Sequence, residues 1–149
     1  MKIADLLDGL DLFKDFAYPE LEVIGGFLQL QSVRQGATIF DEGDPGNYML
    51  ILVEGRISII KGGEHGGQLL SHETPGRIIG EMSLLDQERR SATCVADTEC
   101  ELLSLTNDNL KRLSSTHPLI AYRFMFCLAR LLSRRLRRVS GMMADLLGN

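Results

Sequence analysis

The sequence predicts an α+β fold in which an antiparallel β-roll follows short helices and precedes one long helix. Apolar residues recur every three or four positions near both ends of the chain, which is the spacing of an amphipathic helix. Between these two regions lie short β-rich runs separated by turns that contain glycine. The chain has 149 residues, of which 44% are hydrophobic, so it can bury one sizeable core. We therefore expect a single domain over residues 1–149.

The first predicted region, residues 1–28, is a helical lead-in. Its segments ADLLDGLDLF and PELEVIGGFL carry the helical spacing, and Asp8, Asp11 and Pro19 are residue types that favour helix starts. The opening stretch is interrupted by acidic residues and lacks the cleavage site of a signal peptide. The longest apolar run, Tyr48 to Val53, is much shorter than a membrane span. We therefore expect a cytoplasmic protein that does not enter a membrane.

The second predicted region, residues 29–105, is the β-roll. Its β-rich runs are LQLQSV, ATIF, YMLILVEGRISIIK, QLLSHE, RIIG, SATCVA and CELLSL. Turns separate these runs at Gly36, EGDPGN, Gly55, GGEHGG, PG and the segment 81–89. We interpret Gly43 and Gly55 as turn residues without ligand contacts. About seven short strands joined by tight turns are typical of an antiparallel sandwich or barrel.

The third predicted region, residues 106–147, is helical again. After SLTNDNLKRL, the segment HPLIAYRFMFCLARLLSRRLRRVSGMMADLL predicts one long helix with Pro118 in its first turn. Its apolar stripe consists of Phe124, Leu128, Leu131, Leu132, Leu136, Val139 and Met143. This stripe is longer than one β-roll can cover. We therefore expect the helix to act both as a lid over a pocket and as a homodimer surface.

Five arginines flank this stripe: Arg130, Arg134, Arg135, Arg137 and Arg138. Their like charges disfavour a purely parallel close approach of two such helices. Docking of the stripe onto the acidic body of the chain, or onto a downstream domain, is therefore the alternative to a dimer.

The net charge of −4 is distributed unevenly. Residues 109–144 contain eight Lys or Arg and no acid, so this segment carries +8 and the remainder −12. The arginines interrupt an apolar stripe, and the acidic remainder would repel a polyanion, so we expect the basic face to attract its own acidic body. The chain ends at Asn149, about ten residues after the arginine cluster, which is too short for a helix-turn-helix. We therefore expect no direct DNA binding.

Cysteine and histidine spacing does not indicate a metal site. No CxxC pair occurs among the three cysteines, which are Cys94, Cys100 and Cys127. An odd number of cysteines favours small buried thiols in a reducing compartment. No His-x-His pair occurs among the three histidines, which are His65, His72 and His117. We expect these histidines at turns or on the surface, and we expect no catalytic residue, metal or cofactor.

Charged residues lie inside IIGEMSLLDQERRSATCVA, residues 78–96, although this stretch begins and ends as buried β-structure. Gly80 allows a backbone to pass close to a ligand, and EMSLL suits a single helical turn whose free N–H groups point at an anion. Arg90, at the start of the next predicted strand, offers a planar fork of donors to phosphate oxygens. Glu81 can accept hydrogen bonds from the hydroxyls of a ribose. Together these residues predict a nucleotide site.

This stretch resembles the phosphate-binding cassette of the cyclic nucleotide-binding domain family, found in bacterial catabolite activator proteins and in regulatory subunits of cAMP-dependent kinases. That cassette reads Gly-Glu-(Leu/Met)-(Ala/Ser)-Leu, then a few variable residues, then Arg-(Ser/Ala/Thr)-Ala-Thr. The corresponding residues are Gly80-Glu81-Met82-Ser83-Leu84 and Arg90-Ser91-Ala92-Thr93. GATIFDEGDPGNYMLILVEGRISI is similar to a strand pair of the family, so the resemblance covers about residues 10–140. It implies a double-stranded, jelly-roll-like barrel.

By this resemblance, Glu81 holds the ribose 2′-hydroxyl and Arg90 holds the cyclic phosphate of cAMP or cGMP. Backbone amides near Met82 and Ser83, together with the Ser91 hydroxyl, complete the cradle next to Gly80. The implied function is a regulatory or sensor module that acts through a protein effector or through its own oligomer. Ser91 suits either nucleotide, so the base is left open.

One departure concerns the turn before Arg90. Many cassettes of the family have glycine or proline there, whereas DQERR has neither, so the turn can differ in shape and Arg89 becomes a rival. Neighbouring side chains of a strand face opposite ways, and the family spacing selects Arg90.

Three alternatives to this function remain. A ligand-free protein-interaction domain on the same fold would use Glu81 and Arg90 as a structural pair. An isolated sensor part of a longer regulator or channel would have the same sequence. A cupin-like enzyme is the third hypothesis, which the scattered histidines disfavour.

Overall fold

The computed structural model describes residues 2–62 and 67–148. His65 and the centre of the predicted GGEHGG turn lie outside these residues. Within them, no helix combines the length and the apolar character that crossing a membrane requires.

The lead-in consists of three short helical pieces: α1 (Ile3–Asp8), a 3-10 turn (Asp11–Phe13) and α2 (Tyr18–Gly25). Pro19 lies in the first turn of α2, where the Glu20 carboxylate accepts a hydrogen bond from the Ala17 amide at 2.9 Å. The helix start expected at Asp8 is wrong, because Asp8 is the last residue of α1 and Gly9 follows it as the C-cap.

Eight strands follow the lead-in within residues 29–62 and 67–106. They are β1 (Gln29–Val33), β2 (Thr38–Phe40), β3 (Tyr48–Glu54), β4 (Ile57–Lys61), β5 (Gln68–Glu73), β6 (Ile78–Ile79), β7 (Thr93–Ala96) and β8 (Cys100–Thr106). The run YMLILVEGRISIIK is divided between β3 and β4 at Gly55, which has a φ of 104°. A Cβ at Gly55 would lie 2.5 Å from the Glu99 carbonyl oxygen, so this turn requires glycine.

The strands form two four-stranded antiparallel sheets, with the orders β1-β8-β3-β6 and β2-β7-β4-β5. Within the described part of the chain, no strand pairing joins the two sheets into a closed barrel. The predicted antiparallel roll is therefore confirmed as two packed sheets, and the barrel form of that prediction is wrong.

Strand β3, in the middle of the first sheet, is buried on both faces. Leu50 and Leu52 of β3 pack with Ile57 in the core between the sheets. Met49 and Ile51, which alternate with them, pack against the lead-in and the last helix. Burial of both faces explains why YMLILV is an uninterrupted apolar run.

Two helices complete the fold, α4 (Asn107–Thr116) and α5 (Pro118–Leu147). The Thr106 hydroxyl caps α4 by accepting a hydrogen bond from the Asn109 amide at 3.0 Å. Pro118 lies in the first turn of α5, so the prediction of one long C-terminal helix is confirmed.

The apolar stripe predicted along α5 is buried only over its first part. Phe124 and Leu128 are buried, and the Phe124 ring stacks on Phe13 with centroids 5.9 Å apart. Every residue from Leu136 to Gly148 is exposed, including Met142, which lies five helical turns beyond Phe124 on the same face. The far part of the stripe therefore extends beyond the roll, as the sequence predicted.

Candidate functional site

Arg90 is buried at the centre of the site, with only 3% of its surface exposed. Its guanidinium carbon lies 4.2 Å from the Phe40 ring centroid and 4.4 Å from the Tyr48 ring centroid. Nη2 donates to the Tyr48 carbonyl oxygen at 2.7 Å, and Nη1 donates to the Gly80 carbonyl oxygen at 3.4 Å. Two aromatic faces and two carbonyls therefore hold this cation away from water.

The β2–β3 turn fixes the backbone of Arg90. The Arg90 amide donates to the Asp44 carbonyl at 2.8 Å, and the Gly43 amide donates to the Arg90 carbonyl at 2.8 Å. A Cβ on Gly46 would lie 2.5 Å from Ser83 Cβ and 3.1 Å from Arg90 Nε. Gly43 and Gly46 therefore help to position the site, a role that the sequence did not indicate for either residue.

Arg90 keeps one donor unused. Its Nε is buried and has no hydrogen-bond partner among the described residues. Leaving a buried N–H without a partner costs about 1–3 kcal/mol. An acceptor that reaches this atom removes that cost, which is the behaviour required of an anion site.

Gly80 leaves space for the Arg90 side chain as well as for a ligand. It precedes α3 (Glu81–Asp86) with a φ of 78°, in the left-handed region. A Cβ at Gly80 would lie 2.1 Å from Arg90 Nη1. The close approach predicted at this glycine is therefore made by the guanidinium of the same chain.

Gln87 lies in the DQERR turn before Arg90, where many cassettes of the family have glycine or proline. It adopts the left-handed conformation, with a φ of 58°, and its amide donates to the Ser83 carbonyl at 2.8 Å. The turn therefore contains a left-handed residue without using glycine, at some cost in backbone strain.

Glu81 is buried, with 6% of its surface exposed, and it faces α5. Its Oε1 accepts a hydrogen bond from Arg135 Nη1 at 2.6 Å. The structural Glu81–Arg90 pair of the ligand-free alternative is therefore wrong, because Glu81 pairs with Arg135 instead. Sequence reasoning placed Arg135 only among the helix flanks.

Arg89 and Arg90 face opposite ways, as the sequence predicted. Arg89 is exposed and donates to the Gly43 carbonyl at 2.8 Å, whereas Arg90 is buried. Strand alternation is the wrong reason for this outcome, because β7 begins only at Thr93. The backbone bonds between Arg90 and the β2–β3 turn set the direction of its side chain.

One cavity of about 220 Å³ brings the predicted residues together. All six line it: Gly80, Glu81, Met82, Ser83, Arg90 and Ser91. Ser83 is buried and Met82 is 62% exposed, while the Ser91 carbonyl accepts a hydrogen bond from Lys61 Nζ at 2.8 Å. Phe40, on β2, and Arg135, on α5, line the same cavity. Neither was predicted.

Cysteines and histidines have structural surroundings. Cys94 and Cys100 are buried as expected, whereas Cys127 is only partly buried. His72 Nδ1 lies 3.0 Å from Asp97 Oδ2, and His117 precedes α5. No group of three or more His, Cys, Asp or Glu residues in residues 2–62 and 67–148 is arranged to hold a metal ion.

Comparison with known proteins identifies the family of this site. The family model described as "Cyclic nucleotide-binding domain" matches residues 30–117. The chain belongs to the cyclic nucleotide-binding domain family. This match includes the whole cassette from Gly80 to Thr93, so the resemblance seen in the sequence is confirmed.

Relatives of this cyclic nucleotide-binding domain occur in different regulators. It is 37% identical over 134 residues to a "Cyclic AMP receptor protein" of Thermus thermophilus. The aligned residues cover 88% of this chain and 59% of that protein. It is 36% identical over 118 residues to a cyclic nucleotide-gated potassium channel of Mesorhizobium japonicum, which covers 78% of this chain and 31% of the channel. The chain thus spans less than two thirds of either relative.

A solved structure supports the same fold. The crystal structure of a cyclic nucleotide-binding domain from Methylobacillus flagellatus has a TM-score of 0.82 and 30% identity, covering 97% of this chain and 82% of that chain. The two-sheet roll and long C-terminal helix are therefore the fold of the family.

Proposed function

We propose that the protein binds cAMP or cGMP in the cavity between α3, the second sheet and α5, and that it acts as a regulatory or sensor module. The observation that supports this proposal best is the buried Arg90, whose Nε has no partner in the described residues. Its two aromatic neighbours hold the guanidinium in one place before any ligand arrives. A cyclic phosphate supplies the acceptor and the negative charge that this arginine requires.

The remaining proposed contacts follow from the same cavity. Amide N–H groups near Met82 and Ser83 lie in the first turn of α3, where a helix has no internal acceptors for them, and the Ser91 hydroxyl adds a donor. Glu81 accepts from the ribose 2′-hydroxyl. Its carboxylate has two oxygens, so it can serve Arg135 and a hydroxyl at the same time.

Titration calorimetry with cAMP and cGMP tests this function. The expected result is one nucleotide per chain. If neither nucleotide binds at millimolar concentration, the ligand-free interaction domain becomes the better description.

A homodimer through α5 is the second part of the proposal. The solvent face of α5 repeats at alternating steps of three and four residues through Leu119, Tyr122, Phe126, Ala129, Ser133, Leu136, Ser140, Met143 and Leu147. All of these residues are exposed. Alternating steps of three and four are the heptad spacing of a coiled coil, and a second copy of the chain supplies a matching face.

Charge on the flanks of this heptad face favours parallel helices. One flank carries Arg123, Arg130 and Arg137, and the other carries Met125, Leu132 and Val139. In a parallel pair each flank packs beside the opposite flank of the partner helix, so arginine stems meet apolar side chains. Antiparallel helices would place arginine beside arginine. From the sequence we expected these like charges to disfavour a parallel pair, whereas their heptad positions predict that repulsion opposes the antiparallel arrangement.

Sedimentation velocity at micromolar concentration tests the dimer with Leu136→Glu. We expect a wild-type dimer and a monomeric variant, with Leu30→Glu, at an exposed position on β1, as the control that stays dimeric. A wild-type monomer in the presence and absence of nucleotide would reject the dimer.

We further propose a cytoplasmic regulator without catalytic activity and without direct DNA contacts from this domain. Arg123 pairs with Glu20, and Arg130 pairs with Asp15. These pairs direct part of the basic face of α5 to the acidic body of the chain, which supports an effector protein or a second copy as the recipient of the signal.

A further inference from the structure

Glu73 carries a carboxylate on the inner face of the second sheet. It lies directly opposite Ile57, which is fully buried between the sheets, and Ser71 lies opposite Ile59 on the same face. Inner faces of packed sheets normally carry apolar side chains. Glu73 lines the same cavity as Glu81 and Arg90. This carboxylate therefore needs an explanation that the fold does not provide.

The partners of Glu73 leave its oxygens free to accept more hydrogen bonds. The Ser71 hydroxyl lies 3.4 Å from Oε1, which is a long contact, and Arg77 Nε lies 3.9 Å from Oε2. Its side chain is 24% exposed. An ionised carboxylate can accept about four hydrogen bonds, so most of its capacity remains for a ligand.

Arg90 and Glu73, which have opposite charges, both act on the Cys94 thiol in this cavity. Burial raises the pKa of the Cys94 thiol to about 12, the positive charge of Arg90 acts against this rise, and the negative charge of Glu73 adds to it. Both charged groups therefore act on one cavity-lining thiol, which keeps its proton.

Strand register places Glu73 away from the phosphate end. Arg90 lies before β7, and along β7 the next inner positions are Cys94, beside Ile59, and Ala96, beside Ile57. Glu73 pairs with Ile57, so it is one inner position farther from Arg90 than Ser71. Inner positions are about 7 Å apart along a strand. A cyclic nucleotide with its phosphate on Arg90 therefore extends its base toward Glu73.

Resting on the proposed function, we infer that Glu73 is a specificity-determining residue that accepts hydrogen bonds from the base and selects cGMP over cAMP. Guanine presents two neighbouring donors, N1–H and the N2 amino group, which match the two oxygens of a carboxylate. Adenine presents one amino donor beside the N1 lone pair, which the carboxylate repels.

Titration calorimetry with cGMP, cIMP and cAMP tests the inference, because these bases differ in the donors that they offer. We expect the wild type to bind cGMP most tightly, then cIMP, then cAMP. Glu73→Leu should lower the preference for cGMP over cAMP at least about tenfold, since hydrogen bonds to a charged group contribute about 1.5–3 kcal/mol. Glu73→Gln, which keeps one acceptor, should give an intermediate preference.

Glu54→Gln is the matched control, because Glu54 is exposed at the end of β3 and does not line the cavity. It should keep the wild-type preference. A wild type that binds nucleotides but prefers cAMP, or Glu73 variants that keep the wild-type ratio, would overturn the role of Glu73 alone. A wild type that binds none of the three nucleotides would overturn the proposed function and this inference together.

Discussion

The two charged residues predicted from the cassette are held in place by different kinds of contact. Arg90 is held entirely by the β-roll: two aromatic rings, two carbonyls and two backbone hydrogen bonds to the β2–β3 turn. Glu81 is held from outside the roll, by a single hydrogen bond from Arg135 on α5. The Arg135 side chain is still 30% exposed.

These contacts indicate which part of the proposed site is fixed before a ligand arrives. The end at Arg90 is preorganised, because the contacts of Arg90 lie within the sheets and their turns. The end at Glu81 depends on the position of α5. Under the proposed function, a nucleotide that binds Glu81 would act on the same helix that carries the proposed dimer face, which would link ligand binding to assembly.

Removing the Arg90 side chain should have the largest effect on nucleotide affinity. Arg90→Ala should weaken nucleotide binding by about 2–5 kcal/mol, or roughly 30- to 4000-fold, because it removes one member of a desolvated charge pair. Calorimetry measures this loss, with thermal unfolding as the check that the variant folds. Arg89→Ala is the matched control and should change affinity little, since Arg89 is exposed. Equal losses at both positions would reject the assignment.

Adding a side chain next to Arg90 should have the next largest effect on nucleotide binding. Gly80→Ala forces a side chain into a left-handed position and against Arg90, so it should destabilise the protein by about 1–3 kcal/mol and weaken nucleotide binding. Urea unfolding gives the free energy. Gly141→Ala, in an open position on α5, should instead stabilise the helix by up to about 1 kcal/mol. A loss at Gly80 no larger than at Gly141 would contradict the tight contact.

Changing Glu81, which faces α5, should reduce nucleotide affinity less than removing the Arg90 side chain does. Glu81→Gln should weaken binding about tenfold, because an amide accepts a weaker hydrogen bond than a carboxylate does. It should also reduce the preference for the parent nucleotide over its 2′-deoxy analogue. The result that would count against this role is a wild type that binds both analogues equally.

Outside the cavity, a hydrogen-bond network on the second sheet should make the stability of the folded protein depend on pH. Hydrogen bonds from Ser58 and then from Arg56 and His72 lower the pKa of Asp97 below its usual value of 3.8. A lowered pKa in the folded state stabilises the protein above the unfolded value, and this contribution is lost as pH falls through the folded pKa.

Asp97→Asn should therefore reduce stability near neutral pH by about 1 kcal/mol. The difference from wild type should shrink below about pH 4, where the unfolded carboxyl takes up its proton. Nucleotide affinity should not change, since Asp97 does not line the cavity. Urea unfolding at neutral pH and at about pH 3 measures both differences; an equal difference at the two pH values would exclude this role.

Local features of the site could be predicted from the sequence. The turn at Gly80, the helix EMSLL and the ten-residue step to Arg90 lie within one short segment, so these residues predicted a nucleotide site and their resemblance to the family identified the cassette. Some strand boundaries were also accessible, because β3, β4 and β6 each end directly before a glycine with a positive φ.

Long-range features could not be predicted. Phe40, Tyr48 and Gly46 reach Arg90 only through sheet packing, and nothing in their local pattern indicates a site. Arg135 was one of six arginines on a predicted helix, and only the position of α5 against the roll selects it for Glu81.

A crystal structure of the protein with a saturating cyclic nucleotide is the decisive test of the proposed site. We predict an oxygen of the cyclic phosphate within hydrogen-bond distance of Arg90 Nε and the ribose 2′-hydroxyl on the Glu81 carboxylate. A nucleotide bound away from Arg90, or a cavity that stays empty at saturation, would rule out this site.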